Sequence, residues 1–143
     1  MSKLQFKNKW VLVTGASSGL GEEMARQLAF QHGANLILLA RRKDKLEQLK
    51  AALEKEAGIS VKIIVADLSQ LHDVDHAIDQ LLADGQLYAT ILNAGVTYFG
   101  KHSELSWEQF QTMLQTNVVS VVRFTNRLVS HFESTGKEGG VLI

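Results

Sequence analysis

The sequence predicts an α/β domain: a doubly wound parallel sheet with helices on both faces. Three observations predict it. Short apolar runs alternate with segments of helical period along the whole chain. The runs lack strict in–out alternation, as expected of strands covered on both sides. Glycine-bearing turns follow the first run and the fourth.

The elements follow in order. Trp10–Thr14 reads as the first strand. Leu20, Met24 and Leu28 repeat at four-residue spacing on a first helix, which Gly33 stops. Asn35–Ala40 is the second strand. Leu46, Leu49, Leu53 and Ala57 share one face of a second helix, closed by Gly58. Val61–Ala66 is the third strand. Ser69 is placed to cap a third helix whose inner face carries Leu71, Val74, Ile78 and Leu81. Leu87–Leu92 is the fourth strand and ends at Asn93-Ala94-Gly95. Ser106-Trp107-Glu108-Gln109 matches a capping box and opens a long helical stretch to about Glu133. Gly139–Ile143 begins a fifth strand. Right-handed crossovers in a doubly wound sheet give the strand order 3-2-1-4-5.

The totals bound what this fold can do. A chain of 143 residues suits one domain, 1–143. Apolar content of 45% and charged content of 21% belong to a folded chain rather than a disordered one. Zero net charge gives no electrostatic ground for nucleic acid or an acidic membrane as partner. The absence of cysteine excludes disulfides and thiolate metal sites. No apolar stretch is long enough to span a bilayer, and residues 1–7 lack the apolar run of a secretion signal. The expected compartment is the cytoplasm. His72 and His76 stand four apart, but nearly opposite inward-facing Val74 and without a third ligand. A solvated face, not a metal site, is expected there.

In such a sheet, ligands bind outside the carboxyl ends of the strands, where the strand order reverses between strands 1 and 4. The turns after those two strands therefore converge on one crevice. In the first turn, Gly15 to Gly21, glycines let the backbone approach a ligand closely. Backbone N–H groups opening the helix then favour a diphosphate.

Four features together resemble the short-chain dehydrogenase/reductase family. They are Thr-Gly-x-x-x-Gly-x-Gly at Thr14, Gly15, Gly19 and Gly21; Asn-Ala-Gly at Asn93–Gly95; Asn117 in Thr116-Asn117-Val118; and Asp67 after the third strand. The resemblance covers the whole chain. It implies an NAD(P)-binding Rossmann fold and hydride transfer between a nicotinamide and a small carbonyl or alcohol substrate. It implies that Gly15, Ser17, Ser18, Gly19, Leu20 and Gly21 cradle the pyrophosphate and neighbouring ribose. By the same resemblance Asp67 and Leu68 contact adenine, and Asn93, Ala94 and Gly95 line the central dinucleotide path. Asn117 would belong to the catalytic group, in a locally disturbed helix.

The end of the second strand bears on the choice of cofactor. An NAD site is expected to show an acidic residue here, bonding the ribose 2′-hydroxyl. This chain has Ala40, Arg41, Arg42 and Lys43. A guanidinium matches a 2′-phosphate through paired, charge-assisted hydrogen bonds. NADP(H) is therefore expected over NAD(H), with Arg41 the first candidate and Arg42 the second. The competing reading is a solvated charge cluster opening the next helix.

The family's proton-transfer group is a tyrosine, a lysine four residues later and a serine. This sequence has no Tyr-x-x-x-Lys, and its tyrosines are Tyr88 and Tyr98 only. Tyr98-Phe99-Gly100-Lys101 has the wrong spacing, and Tyr88 opens a strand. The chain is expected to be the cofactor-binding portion of a longer oxidoreductase, truncated before those residues and inactive alone. The alternative is a catalytically inactive nucleotide-binding module or scaffold. Val118 to Val129 is apolar over much of its length. Either the whole band is core, or one face covers the sheet and the other resembles the family's subunit-packing surface, implying a homo-oligomer.

Overall fold

A computed structural model describes residues 4–136 and 138–143. Residues 1–3 of the opening segment lie outside the described residues. The strands are β1 (Trp10–Thr14), β2 (Asn35–Ala40), β3 (Val61–Val65), β4 (Leu87–Ile91) and β5 (Gly140–Leu142). Between them run α1 (Gly19–His32), α2 (Lys43–Ala57), α3 (Leu71–Asp84), α4 (Trp107–Leu114) and α5 (Ser120–Thr135). All strand pairs are parallel and the order is β3-β2-β1-β4-β5, as the crossover rule predicts.

The sheet divides the interior into two cores. On one face Val11, Val13, Leu36 and Leu38 pack with α1 and α2 through Ala25, Leu28, Leu46, Leu49 and Leu53. On the other, Leu12, Ile37 and Leu39 pack with α3 and α5 through Val74, Ile78, Leu81, Phe124 and Leu128. Successive residues of β1 and β2 thus point to opposite cores, so both strands are apolar between the polar ends Thr14 and Asn35.

Several local expectations shift. The buried stripe of α1 is Gly21, Ala25, Leu28 and Ala29, whereas Leu20 is 71% exposed. Small residues at 21 and 25 let the helix lie close to the sheet, which turns Leu20 outward to the rim. Leu71 likewise stands exposed, and Ala77 completes the inner face of α3. Ser69 does not cap α3. Its hydroxyl donates to Asp67 Oδ1 at 2.8 Å, and Gln70 takes the N-cap position. The capping box at Ser106 and Gln109 forms as expected. The long helix after it is disturbed at Asn117, as the resemblance implies: a π turn at Gln115–Val119 separates α4 from α5. The apolar band resolves into two faces. Phe124 and Leu128 are core, while Val118, Val122 and Val129 are exposed.

Helices α3 and α5 are also joined by charge. Arg123 holds Asp75 with two bonds, Nε to Oδ1 at 2.7 Å and Nη2 to Oδ2 at 3.2 Å. Arg127 donates to Asp79 at 2.8 Å, one turn along both helices. The guanidinium hydrogen bond from Arg123 holds the Asp75 carboxyl below its ordinary range. The amide of Asp67 does the same for Asp73, chiefly by donating to Oδ2, with help from His72. A carboxyl depressed in the folded state stabilises above its unfolded pKa and loses that contribution as pH falls through the folded value. Stability should therefore hold near neutrality and decline below about pH 4. Urea midpoints taken across that range should fall less steeply for Asp75→Asn than for the unaltered chain. An unchanged acid slope would show that the pair contributes nothing.

Candidate functional site

The turns after β1 and β4 meet at the carboxyl rim of the sheet. Thr14 joins them. Its hydroxyl donates to Ile91 O at 3.4 Å and accepts from the Ala94 amide at 3.0 Å. In return Asn93 Nδ2 donates to Thr14 O at 3.1 Å. Gly15 then turns with φ +69°, and its amide donates to Leu39 O at 2.8 Å. A Cβ at Gly15 would lie 2.9 Å from Ala94 Cα. A Cβ at Gly21 would collide with Gly15 O and lie 2.6 Å from Asn93 Nδ2. The two glycines are thus required by close approach of backbone to backbone.

Around this junction lies an open cleft of about 240 Å³. Gly15, Ser17 and Ser18 line one wall, and Asn93, Ala94 and Gly95 another. Arg41 and Arg42 close one end, beside Ala66, Asp67 and Leu68. The cleft thus brings together most residues read from the sequence. Gly19, Leu20, Gly21 and Asn117 are not among its walls. Gly19 and Leu20 stand exposed where α1 begins, and Gly21 is buried beneath the turn.

The first turn of α1 has no side-chain cap. Ser18 occupies the N-cap position, yet its side chain accepts from none of the helix amides. An uncapped helix start at an open rim can receive an anion. Arg42 crosses to this turn and bonds Ser17 and Ser18. The guanidinium of Arg41 makes no hydrogen bond or ion pair with any described residue. No carboxylate stands at the end of β2, where Ala40 is followed by the two arginines.

Asp67 Oδ1 accepts from Ser69 N at 3.0 Å and from the Ser69 hydroxyl, which fixes the turn after β3. Its Oδ2 accepts no hydrogen bond from the described residues. Asn117 lies in the π turn and pins the β4 turn from the far side. Its Oδ1 accepts from Val96 N and its Nδ2 donates to Val96 O, both at 2.8 Å. Ser120, at the start of α5, donates its hydroxyl to the Thr116 carbonyl of that turn at 2.7 Å.

The sequence reading missed the bridging role of Thr14 and the lining residues Leu39, Ala40, Ala66, Val96 and Thr116. Thr14 carried one usable signal, a hydroxyl closing an apolar strand. The others are ordinary small or apolar residues, and only the topology brings them to the rim.

The fold recurs in known proteins. A family model described as short chain dehydrogenase matches residues 9–143. The 17-beta-hydroxysteroid dehydrogenase type 3 of Mus musculus is 30% identical over 138 residues, covering 95% of this chain and 45% of that protein. A short-chain dehydrogenase from Sphingobium yanoikuyae, solved in complex with NADPH, superposes with TM-score 0.87 at 31% identity. That match covers 93% of this chain and 51% of the other. An alcohol dehydrogenase from the archaeon Thermococcus sibiricus, complexed with 5-hydroxy-NADP, gives TM-score 0.83 at 34% identity, covering 94% and 57%. The chain spans about half the length of the relatives it matches.

Proposed function

Because the chain belongs to the short-chain dehydrogenase family, we propose that it is the cofactor-holding portion of an NADP(H)-dependent oxidoreductase acting on a small carbonyl or alcohol. One observation carries this reading. The turns after β1 and β4 are locked together at the point of strand reversal, around a cleft that ends in two arginines. When bound there, a nicotinamide dinucleotide supplies hydride chemistry. The chain's own residues bind and orient.

In this reading the uncapped amides of residues 19–21 and the Gly15 turn receive the diphosphate. Ser17 and Ser18 flank the neighbouring ribose. Arg41 meets the 2′-phosphate with a guanidinium that need not break a protein contact first. Asp67 offers its Oδ2 to an adenine amino group, and Leu68 supplies apolar contact. Asn93, Ala94 and Gly95 form the wall along the middle of the dinucleotide. Asn117 holds that wall in place through Val96. The NADPH and 5-hydroxy-NADP bound to the two solved relatives support the cofactor choice.

The 143 residues include no Tyr-x-x-x-Lys to move the substrate proton. This favours a second reading for the chain on its own, a nucleotide-binding module without chemistry. The exposed Val118 of the π turn, with Val122 and Val129 of α5, offers a face for a second copy.

Titration of the chain with NADPH and NADH by calorimetry tests the assignment. NADPH should bind at least about tenfold more tightly, the size of one charge-assisted contact. Failure of both to bind ends the dinucleotide reading, and equal affinity ends the NADP(H) preference. The 143-residue chain alone should not oxidise NADPH against carbonyl compounds. Turnover at an ordinary enzymatic rate of about 1–1000 per second would refute the division between binding and proton transfer.

A further inference from the structure

We propose that Arg42 is a positioning residue that keeps the start of α1 uncapped, while Arg41 alone serves as the phosphate ligand. The inference rests on the dinucleotide reading and assigns different work to two adjacent arginines.

The guanidinium bonds of Arg42 all run to one turn. Nη2 donates to Ser18 Oγ at 2.8 Å, to Ser17 Oγ at 3.0 Å and to Ser17 O at 3.2 Å. Nε donates to Ser17 Oγ at 3.3 Å. The bond to Ser17 O holds the main chain itself. The bond to Ser18 Oγ has a further effect. A serine at an N-cap ordinarily turns its oxygen onto the second or third amide of the helix. Here those are the amides of Leu20 and Gly21. Ser18 has the extended backbone suited to that role, with φ −173° and ψ 168°, yet makes no such bond. Its oxygen faces Arg42 instead. The guanidinium thus draws away the group that would otherwise occupy the two amides, and leaves them for an anion.

Arg41 is placed differently. It lines the same cleft, but no described residue accepts a hydrogen bond from it. A phosphate can therefore pair with Arg41 without dismantling the turn. Pairing through the Nε–Nη2 edge of Arg42 would release both serines.

The test compares Arg42→Ala and Arg42→Lys with the unaltered chain, using NADPH and NADH as separate probes in calorimetry. Arg42→Ala should weaken both by the same factor, about three- to tenfold, the size of one exposed hydrogen bond. Both share the diphosphate, and only one carries the extra phosphate. Arg42→Lys, which lacks the planar fork, should recover only part of the loss. The double variant Ser18→Ala/Arg42→Ala should bind both dinucleotides more tightly than Arg42→Ala, because the oxygen that would close the amides is gone. A merely structural role would not give that rescue. A loss confined to NADPH would make Arg42 a phosphate ligand and overturn the proposal. So would unchanged affinity, or a double variant no better than the single one. If Arg42→Ala does not fold, the equal-factor comparison is read on Arg42→Lys, and melting temperatures identify that case. If the unaltered chain binds neither dinucleotide, the underlying reading fails and this inference falls with it.

Discussion

Gly21→Ala is expected to abolish measurable dinucleotide binding and to lower stability by about 1–3 kcal/mol, the usual cost of overpacking. The added methyl would collide with the carbonyl of Gly15 and crowd Asn93 Nδ2. Neither can yield alone. Gly15 is tied to Leu39 by its amide, and Asn93 is tied to Thr14. Relief requires moving α1 away from the rim or separating the two turns, and either opens the junction that shapes the cleft. Gly19→Ala supplies the contrast. A Cβ there meets nothing within 4 Å, so only the positive φ of +59° opposes it. That strain costs about 1–2 kcal/mol without a collision. Urea denaturation and NADPH titration of both variants give the comparison. A Gly21→Ala chain as stable as the parent, with unchanged affinity, would mean that α1 does not pack against the turn as described.

Arg41→Ala is expected to weaken NADPH by about 10–100-fold and to leave NADH unchanged, since hydrogen bonds to charged groups are worth about 1.5–3 kcal/mol. NADPH and NADH share every atom group except the 2′-phosphate. The guanidinium has no partner among the described residues, so its removal strips a ligand contact without disturbing the fold. The stability of the free protein should accordingly stay within about 0.5 kcal/mol of the parent, as for other exposed substitutions. Equal weakening of both dinucleotides would assign Arg41 to the turn rather than to the phosphate. Raising the salt concentration should narrow the gap between NADPH and NADH in the parent, because exposed charges are screened.

Periodicity and topology made most of the fold legible. Leu46, Leu49 and Leu53 needed only helical spacing, and β1 and β2 needed only unbroken apolar runs. The strand order followed from handedness. Glycine spacing located the cleft because close backbone approach leaves a mark in residue type. What stayed hidden depends on pairs distant in sequence. Thr14 and Ala94 are 80 positions apart, and Arg42 reaches back 24 to Ser18. No local pattern encodes either bond. Leu20 and Leu71 look like core by period and are not, because the exact rotation of a helix is set by small residues such as Gly21 and Ala77. The π turn at Gln115–Val119 was legible only through resemblance, since neither proline nor glycine marks it.

The Thr14 bridge makes the seat a property of the assembled sheet rather than of any continuous stretch. A peptide ending after β2 would own the glycine turn but none of its counterpart. The wall from Asn93 to Gly95 arrives with β4, late in the chain. A guest held between the two would act as a rivet across the pairing that has the greatest loop-closure penalty. Occupancy and completion of the sheet are in that sense a single event.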